Sequence, residues 1–235
     1  MRLSLRVAAL CAALLACAPA LADGAYVARD QLDLVTLLPP PPPAGSPADK
    51  IDLAGVLAAQ AGRNAEAEER AKADAELSVF RFADVLGPDF SAEKLPVAAA
   101  FFAKVKSDSG DLVELVKARW NRPRPSVADA SVHPVLKLPN NASYPSGHTT
   151  FARLNAIVLA AMVPEKSVEI FARADEYANN RIVAGVHYPA DVAAGKIAGS
   201  LIAALERENP AFRQDFAEAK AELRGALALP EQPAR

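Results

Sequence analysis

From Ala48 to the C-terminus, apolar residues return every three or four positions, the spacing that places them on one face of a helix. The pattern predicts helices over about 50–61 and about 64–86. In the second, Ala75, Leu77, Val79, Phe80, Phe82, Ala83 and Leu86 form the apolar stripe, and Gly87-Pro88 stops it. Ser91 suits the N-cap of a helix over about 92–106, where Val97, Ala100, Phe101 and Val105 repeat at helical spacing. A further helix over 108–120 ends ahead of Pro123 and Pro125. Residues 126–144 lack a period and contain Pro134, Pro139 and Asn140-Asn141, so they read as a loop. Ser146 or Gly147 opens an apolar helix to about Met162, followed by helices over about 165–183, 189–206 and 211–226. Pro189 starts one of these, and Asn209-Pro210 separates the last two. Gly195 and Gly199, four apart, allow close packing of their helix on a neighbour. No alternation of polar and apolar residues is long enough to argue for a sheet, so the expected fold is all-α, a single-domain helical bundle.

The N-terminal residues depart from that pattern. Met1 to Arg6 is short and positive, Val7 to Cys17 is apolar, and Ala20-Leu21-Ala22 supplies small residues at a cleavage site. Residues 1–22 therefore read as a secretory signal peptide cut after Ala22, which implies a periplasmic or secreted protein. The alternative is a lipoprotein signal with Cys17 acylated, which Leu15 fits poorly. Residues 23–48 form a proline-rich arm; Pro39 to Pro43 cannot enter a helix or a sheet ladder and should lie extended over the surface of a domain at 49–235. Both cysteines, Cys11 and Cys17, leave with the leader, so no disulfide staples the remaining chain. Loss of Arg2 and Arg6 takes the net charge from −2 to −4, which argues against a nucleic-acid partner or a polybasic membrane patch. Leu154 to Val163 is apolar but bounded by Arg153 and Pro164, too short a run to span a membrane.

Charge matters locally instead. Lys117, Arg119, Arg122 and Arg124 gather at one helix end, with Lys117 and Arg124 seven apart and able to reach one site. Arg124 offers a planar fork for two phosphate oxygens and Lys117 a point charge, although a cationic helix end is commonly just solvated. Pro145-Ser146-Gly147-His148 places free backbone N–H groups at a helix N-terminus, a natural anion site. There Gly147 permits close approach, Ser146 adds a hydroxyl, and His148 stands ready to protonate a leaving oxygen; the bland reading is an ordinary Ser N-cap beside a surface histidine. His187 and Asp191 are four apart, so the carboxylate can hold Nδ1 and leave Nε2 free for attack, with Arg181 as a third cation. The bland alternative makes Asp191 a helix-start residue and His187 part of a turn. His133, in the proline-bearing loop, has no partner spaced for a metal site.

In this order, Lys-x6-Arg-Pro, Pro-Ser-Gly-His and Arg-x5-His-x3-Asp resemble the signature of the type-2 phosphatidic acid phosphatase superfamily, which includes the vanadium-dependent haloperoxidases. The leader, the proline run after Leu37-Leu38, Phe80-Arg-Phe-Ala-Asp-Val-Leu-Gly87 and Ser143-Tyr-Pro-Ser-Gly-His-Thr149 look like the class A bacterial non-specific acid phosphatases. The resemblance implies a metal-independent helical enzyme hydrolysing small phosphate monoesters, possessing no cofactor, and binding vanadate as a phosphate mimic. It implies that Lys117, Arg124 and Arg181, assisted by Ser146 and Gly147, bind phosphate. His187 is then the nucleophile that forms a phosphohistidine, His148 the general acid, and Asp191 the orienting carboxylate. Soluble members of the family commonly pair into homodimers. Two positions depart from the pattern: Asn180 stands where the family usually has serine, and Ala142 where class A usually has glycine. The other readings are a vanadate-dependent haloperoxidase, or a helical anion-binding protein without catalysis.

Overall fold

A computed structural model describes residues 26–230. The leader, its cleavage point at Ala22 and Cys17 fall outside the described residues. Within them the chain is helical and forms no strand. The helices are α1 (Leu34–Leu37), α2 (Pro47–Ala61), α3 (Ala65–Ala73), α4 (Ala83–Leu86), α5 (Pro96–Trp120) and α6 (Pro125–Ala128), then α7 (Gly147–Met162), α8 (Ser167–Val183), α9 (Pro189–Glu206) and α10 (Pro210–Ala226). Single 3-10 turns cover Val79–Phe82 and Pro164–Lys166.

α7 is the central element, packed most extensively on α9 and α8 and then on α5. Its buried residues, among them Phe151, Leu154, Val158, Leu159 and Met162, lie around much of the helix rather than on one stripe. The two glycines of α9 allow this packing. A Cβ on Gly195 would stand 2.7 Å from the Ser146 carbonyl oxygen, and one on Gly199 only 2.5 Å from that of Thr150. The close approach fixes the N-terminus of α7 against the start of α9, where the Ser146 amide donates to the Asp191 carbonyl at 3.0 Å.

Three expected helices differ in the structure. The 64–86 helix stops at Ala73, because the segment that follows turns its backbone carbonyls outward to side chains. Asp74, Ala75, Glu76 and Leu77 bond in turn to Arg181, His148, Tyr177 and Lys106. The helices expected at 92–106 and 108–120 are one, α5, which starts at Pro96 rather than after Ser91. Its first amides are capped from a distance, since Glu222 of α10 accepts from Val97 and Ala98 at 3.1 and 2.8 Å. Asp108 and Ser109 do not break it: Asp108 accepts from the Tyr26 amide at 3.1 Å and Ser109 donates back to the Lys106 carbonyl. The loop at 126–144 contains most of α6, a single turn begun by Pro125.

The N-terminal arm is also less superficial than expected. Tyr26, Val27, Leu32, Leu34 and Leu38 are buried in the main apolar cluster, and Tyr26 meets Phe212 edge-on at 5.2 Å between ring centroids. The proline run rides over the domain, its Pro39 carbonyl accepting the Tyr144 hydroxyl.

Gly199→Ala is expected to destabilise the fold by about 1–3 kcal/mol, because its Cβ meets backbone that cannot yield. Gly110→Ala, with nothing within 4 Å of the new Cβ on α5, should gain roughly 0.5–1 kcal/mol. Thermal unfolding of the two variants beside the parent checks both signs.

Candidate active site

The expected residues converge where the end of α5, the start of α7, the end of α8 and the start of α9 meet. α5 ends at Asn121, whose left-handed backbone (φ 43°) turns the chain away. Lys117 lies in the last turn and is buried, its Nζ donating to the Ala142 carbonyl at 2.5 Å. Beyond the turn, Arg124 spreads its fork over Asn141 and Val186: Nε donates to the Asn141 carbonyl at 3.1 Å, Nη2 to Asn141 Oδ1 at 2.8 Å, and Nη1 to the Val186 carbonyl at 2.8 Å. The same Nη1 lies 3.3 Å from His187 Nε2. A guanidinium only donates, so the lone pair of His187 is on Nε2 and its proton on Nδ1. Nδ1 in turn lies 3.3 Å from Asp191 Oδ2.

Asp191 is fully buried and heavily bonded. Oδ2 also accepts the Ser143 hydroxyl at 2.5 Å and the Tyr188 amide at 3.0 Å, while Oδ1 accepts from Arg122 Nη1 at 2.8 Å. Burial alone would raise this carboxyl, but the His187 contact, the Arg122 charge and the Ser143 hydroxyl hold it below its ordinary value.

Ser146 is the N-cap of α7, its Oγ accepting from the Thr149 amide at 3.3 Å and from the Thr149 hydroxyl at 2.9 Å. A Cβ on Gly147 would meet only Val113, at 3.8 Å. Protein packing therefore does not demand glycine there. His148 makes no hydrogen bond to the other expected site residues; its Nε2 is 3.0 Å from the Ala75 carbonyl, which requires a proton on that nitrogen. Arg181, 2% exposed, is the least satisfied cation: Nη1 reaches the Asp74 carbonyl at 3.4 Å, and Nε is buried with no hydrogen-bond partner among the described residues.

The cluster is strongly positive, and its groups respond accordingly. Burial, reinforced by Arg124, pushes Lys117 down to about 8. Burial takes Arg181 down to about 10. Both imidazoles fall to about 3: burial is the main cause for each, outweighing Asp191 beside His187, with Lys117 and Arg124 adding to it there, while beside His148 the Arg181 charge reinforces burial against the Ala75 carbonyl. Among the described residues no group of three or more His, Cys, Asp or Glu stands ready to hold a metal ion.

The structure adds residues that the sequence did not single out. Ser143 precedes the Tyr-Pro-Ser-Gly-His run and clamps Asp191. Arg122 belongs to the cationic cluster, but it faces Asp191, Asp52 and Asp49 instead of Arg124's side. Asp74 is the second hub: Arg173 grips it with two nitrogens at 2.6 and 3.0 Å, and Asn180 Nδ2 donates to it at 2.8 Å. Thus Asn180, one of the two departures, braces the loop that carries the carbonyl partners of Arg181 and His148. Spacing hinted only at Arg122; Asp52 and Asp74 are remote in sequence and carry no local signal.

Comparison with known proteins gives this arrangement a family. Residues 97–213 match the PAP2 superfamily. The chain is 32% identical over 207 residues to the non-specific acid phosphatase of Providencia stuartii, an alignment covering 84% of each protein. It is 32% identical over 210 residues to the acid phosphatase of Zymomonas mobilis, covering 86% of this chain and 79% of that one. Two solved structures share the fold. A bacterial vanadium-dependent iodoperoxidase superposes with a TM-score of 0.57 at 21% identity, covering 73% of this chain, which spans about half (52%) of that enzyme's length. The transmembrane PAP2-type phosphatidylglycerolphosphate phosphatase of Bacillus subtilis gives 0.52 at 18% identity, covering 74% of this chain and 89% of that one. No helix among the described residues is long and apolar enough to cross a membrane. The chain belongs to the PAP2 superfamily and, within it, to the bacterial non-specific acid phosphatases.

An anion placed against these cations should raise both imidazole pKa values and draw in a proton. Sulfate is a useful probe because it stays dianionic. Calorimetric titration at about pH 5.5, in buffers of different ionisation enthalpy, should report net proton uptake that shrinks in His148→Gln. Binding without proton uptake would refute this coupling.

Proposed function

We propose that this chain is an exported acid phosphatase that hydrolyses phosphate monoesters without a metal ion, through a phosphohistidine on His187. Membership of the acid phosphatase family makes it a phosphoric monoester hydrolase; the finer mechanism rests on geometry. The observation that carries it is the orientation of His187, with Nδ1 against Asp191 and the Nε2 lone pair turned toward Arg124.

In this reading the phosphoryl group enters beside Arg124 and Arg181, whose buried Nε still has a hydrogen bond to give. Lys117 adds charge, and the amides at the start of α7 add dipoles, Gly147 leaving room for the oxygens. His187 Nε2 attacks phosphorus as the bond to the leaving oxygen breaks. Asp191 stabilises the charge that forms on the imidazole. With Nε2–H of His148 held by the Ala75 carbonyl, the proton for the leaving oxygen is the second one, on Nδ1, taken up when the dianion binds. Neutral His148 then removes a proton from water, which attacks the phosphohistidine, frees phosphate and restores His187. An alcohol in place of that water would give phosphotransfer. Positioning and charge neutralisation are most of what such a transfer needs. Vanadate would take the same place as a mimic of phosphate. The leader at 1–22 supports export to the periplasm or beyond.

At about pH 5–6, the acidic side on which such a histidine pair works, p-nitrophenyl phosphate turnover should persist in EDTA and vanish in His187→Ala. His148→Ala should cost roughly 10²–10⁴ in rate with alkyl phosphates and far less with p-nitrophenyl phosphate, whose leaving group needs no acid. Turnover retained by His187→Ala would rule out the nucleophile assignment.

A further inference from the structure

Asp191 does not stand alone behind His187. Its Oδ1 rests on Arg122, a buried guanidinium that lies 3.8 Å over the Tyr188 ring and also faces two carboxylates of α2. Asp52 Oδ2 lies 2.7 Å from Arg122 Nη2, and Asp49 Oδ1 lies 3.0 Å from the same nitrogen. The Asp52 contact is a charge pair off the hydrogen-bond direction, since Oδ2 accepts no aligned bond. The other oxygen, Oδ1, accepts the Ala190 amide at 2.8 Å. Ala190 is in the first turn of α9, directly before Asp191, where backbone N–H groups lack partners within the helix. Asp52 therefore caps α9 from a different helix and faces the cation that holds Asp191.

A second observation places α2 hard against this turn. A Cβ on Gly55 would fall 2.8 Å from Pro189 Cγ, and Val56 packs with Tyr188 and Val132 in a separate small apolar cluster. α2 has nothing to offer a substrate directly, since the phosphate-binding candidates all lie on other elements.

We propose that Asp52, with Arg122, is a positioning residue for the phosphoryl-transfer step: it anchors the first turn of α9 and shares the Arg122 charge, so that Asp191 keeps Oδ2 for His187. This rests on the reading of His187 as nucleophile. With one guanidinium facing Asp191, Asp52 and Asp49, no single carboxylate takes its whole charge. Without Asp52, Arg122 would bear more heavily on Asp191, and His187 would hold a proton less readily among Lys117 and Arg124. The sign is definite: removing an anion from this group disfavours the imidazolium.

Asp52→Asn keeps the shape and removes the charge. Its kcat for p-nitrophenyl phosphate should fall about five- to tenfold with KM within about twofold, the size of effect that a residue acting through another exerts. The acidic limb of kcat/KM, which reports the free enzyme, should move to lower pH. Rates are taken per folded molecule, counted by circular dichroism. If Asp52→Asn does not fold, Asp49→Asn at the more exposed edge of the same network serves, and its limb should shift in the same direction by less. Wild-type kcat and an unmoved limb overturn the proposal. So does a loss of kcat with the limb unmoved, which would make Asp52 a brace only. His187→Ala separates the two levels: if it turns over, the nucleophile reading fails. If it is dead while Asp52→Asn matches wild type, the Asp52 inference alone fails.

Discussion

Three cations, Lys117, Arg124 and Arg181, are buried together with no carboxylate of their own among the described residues, and the architecture around them follows from that constraint. A buried charge needs partners or it will not stay charged. The deeply buried carboxylates nearby are already committed, Asp191 to Arg122, Ser143, Tyr188 and His187, and Asp74 to Arg173 and Asn180. The cations are supported instead by backbone carbonyls: Ala142 for Lys117, Asn141 and Val186 for Arg124, and Asp74 for Arg181. Carbonyl dipoles orient a cation without cancelling it. The site is left with positive charge that an anion would complete, and that charge adds to burial in depressing both imidazoles.

The same constraint explains why neighbouring arginines do different work. Arg122, Pro123 and Arg124 follow the left-handed turn at Asn121, and the two prolines fix φ on either side of Arg124. Although only Pro123 stands between them, the two guanidiniums reach different partners. Arg122 goes to the carboxylates of α2 and α9, where it fixes geometry. Arg124 goes to carbonyls and to His187, where its charge remains available. A sequence reading sees a single cationic cluster; the partners divide it.

Much of the fold was legible because it is written locally. Ser146-Gly147, Tyr188-Pro189 and Asn209-Pro210 each start a helix at or near the expected residue, and Gly195 and Gly199 serve the close packing read from their spacing. The failures came where tertiary contacts outvote local propensity. Residues 74–82 have a helical stripe, yet the loop's carbonyls are taken by His148, Tyr177, Lys106 and Arg181. Asp108 and Ser109 look like a helix break, yet α5 runs through them because Asp108 is bonded by the distant Tyr26 amide. For the site, the three motifs gave the residues that the fold gathers at one place, since these fall at helix ends that short motifs encode. Asp52, Asp74 and Ser143 act through other residues, and only the fold brings them there.

Buried titratable groups on opposite sides of the molecule then set where the fold can operate. Both imidazoles sit well below their ordinary 6.5, so the unfolded chain binds protons that the folded chain refuses. Stability from that source is whole above pH 6.5 and drains away as pH falls toward the folded value of about 3. At the far end of α9, Glu206 is fully buried beside Asp108, and burial followed by the neighbouring carboxyl pushes it well up from 4.5. Burial also raises Asp108, although the Tyr26 and Val27 amides oppose it. For these two the sign reverses: the folded state keeps protons that the unfolded chain releases, so stability is whole below their ordinary values and drains away as pH rises. Between about pH 4.5 and 6 the two histidines and the two acids act with opposite slopes, so each set offsets part of the other's pH dependence. The fold therefore loses less with moderate acidification than the buried histidines alone would dictate, because the buried acids push the other way.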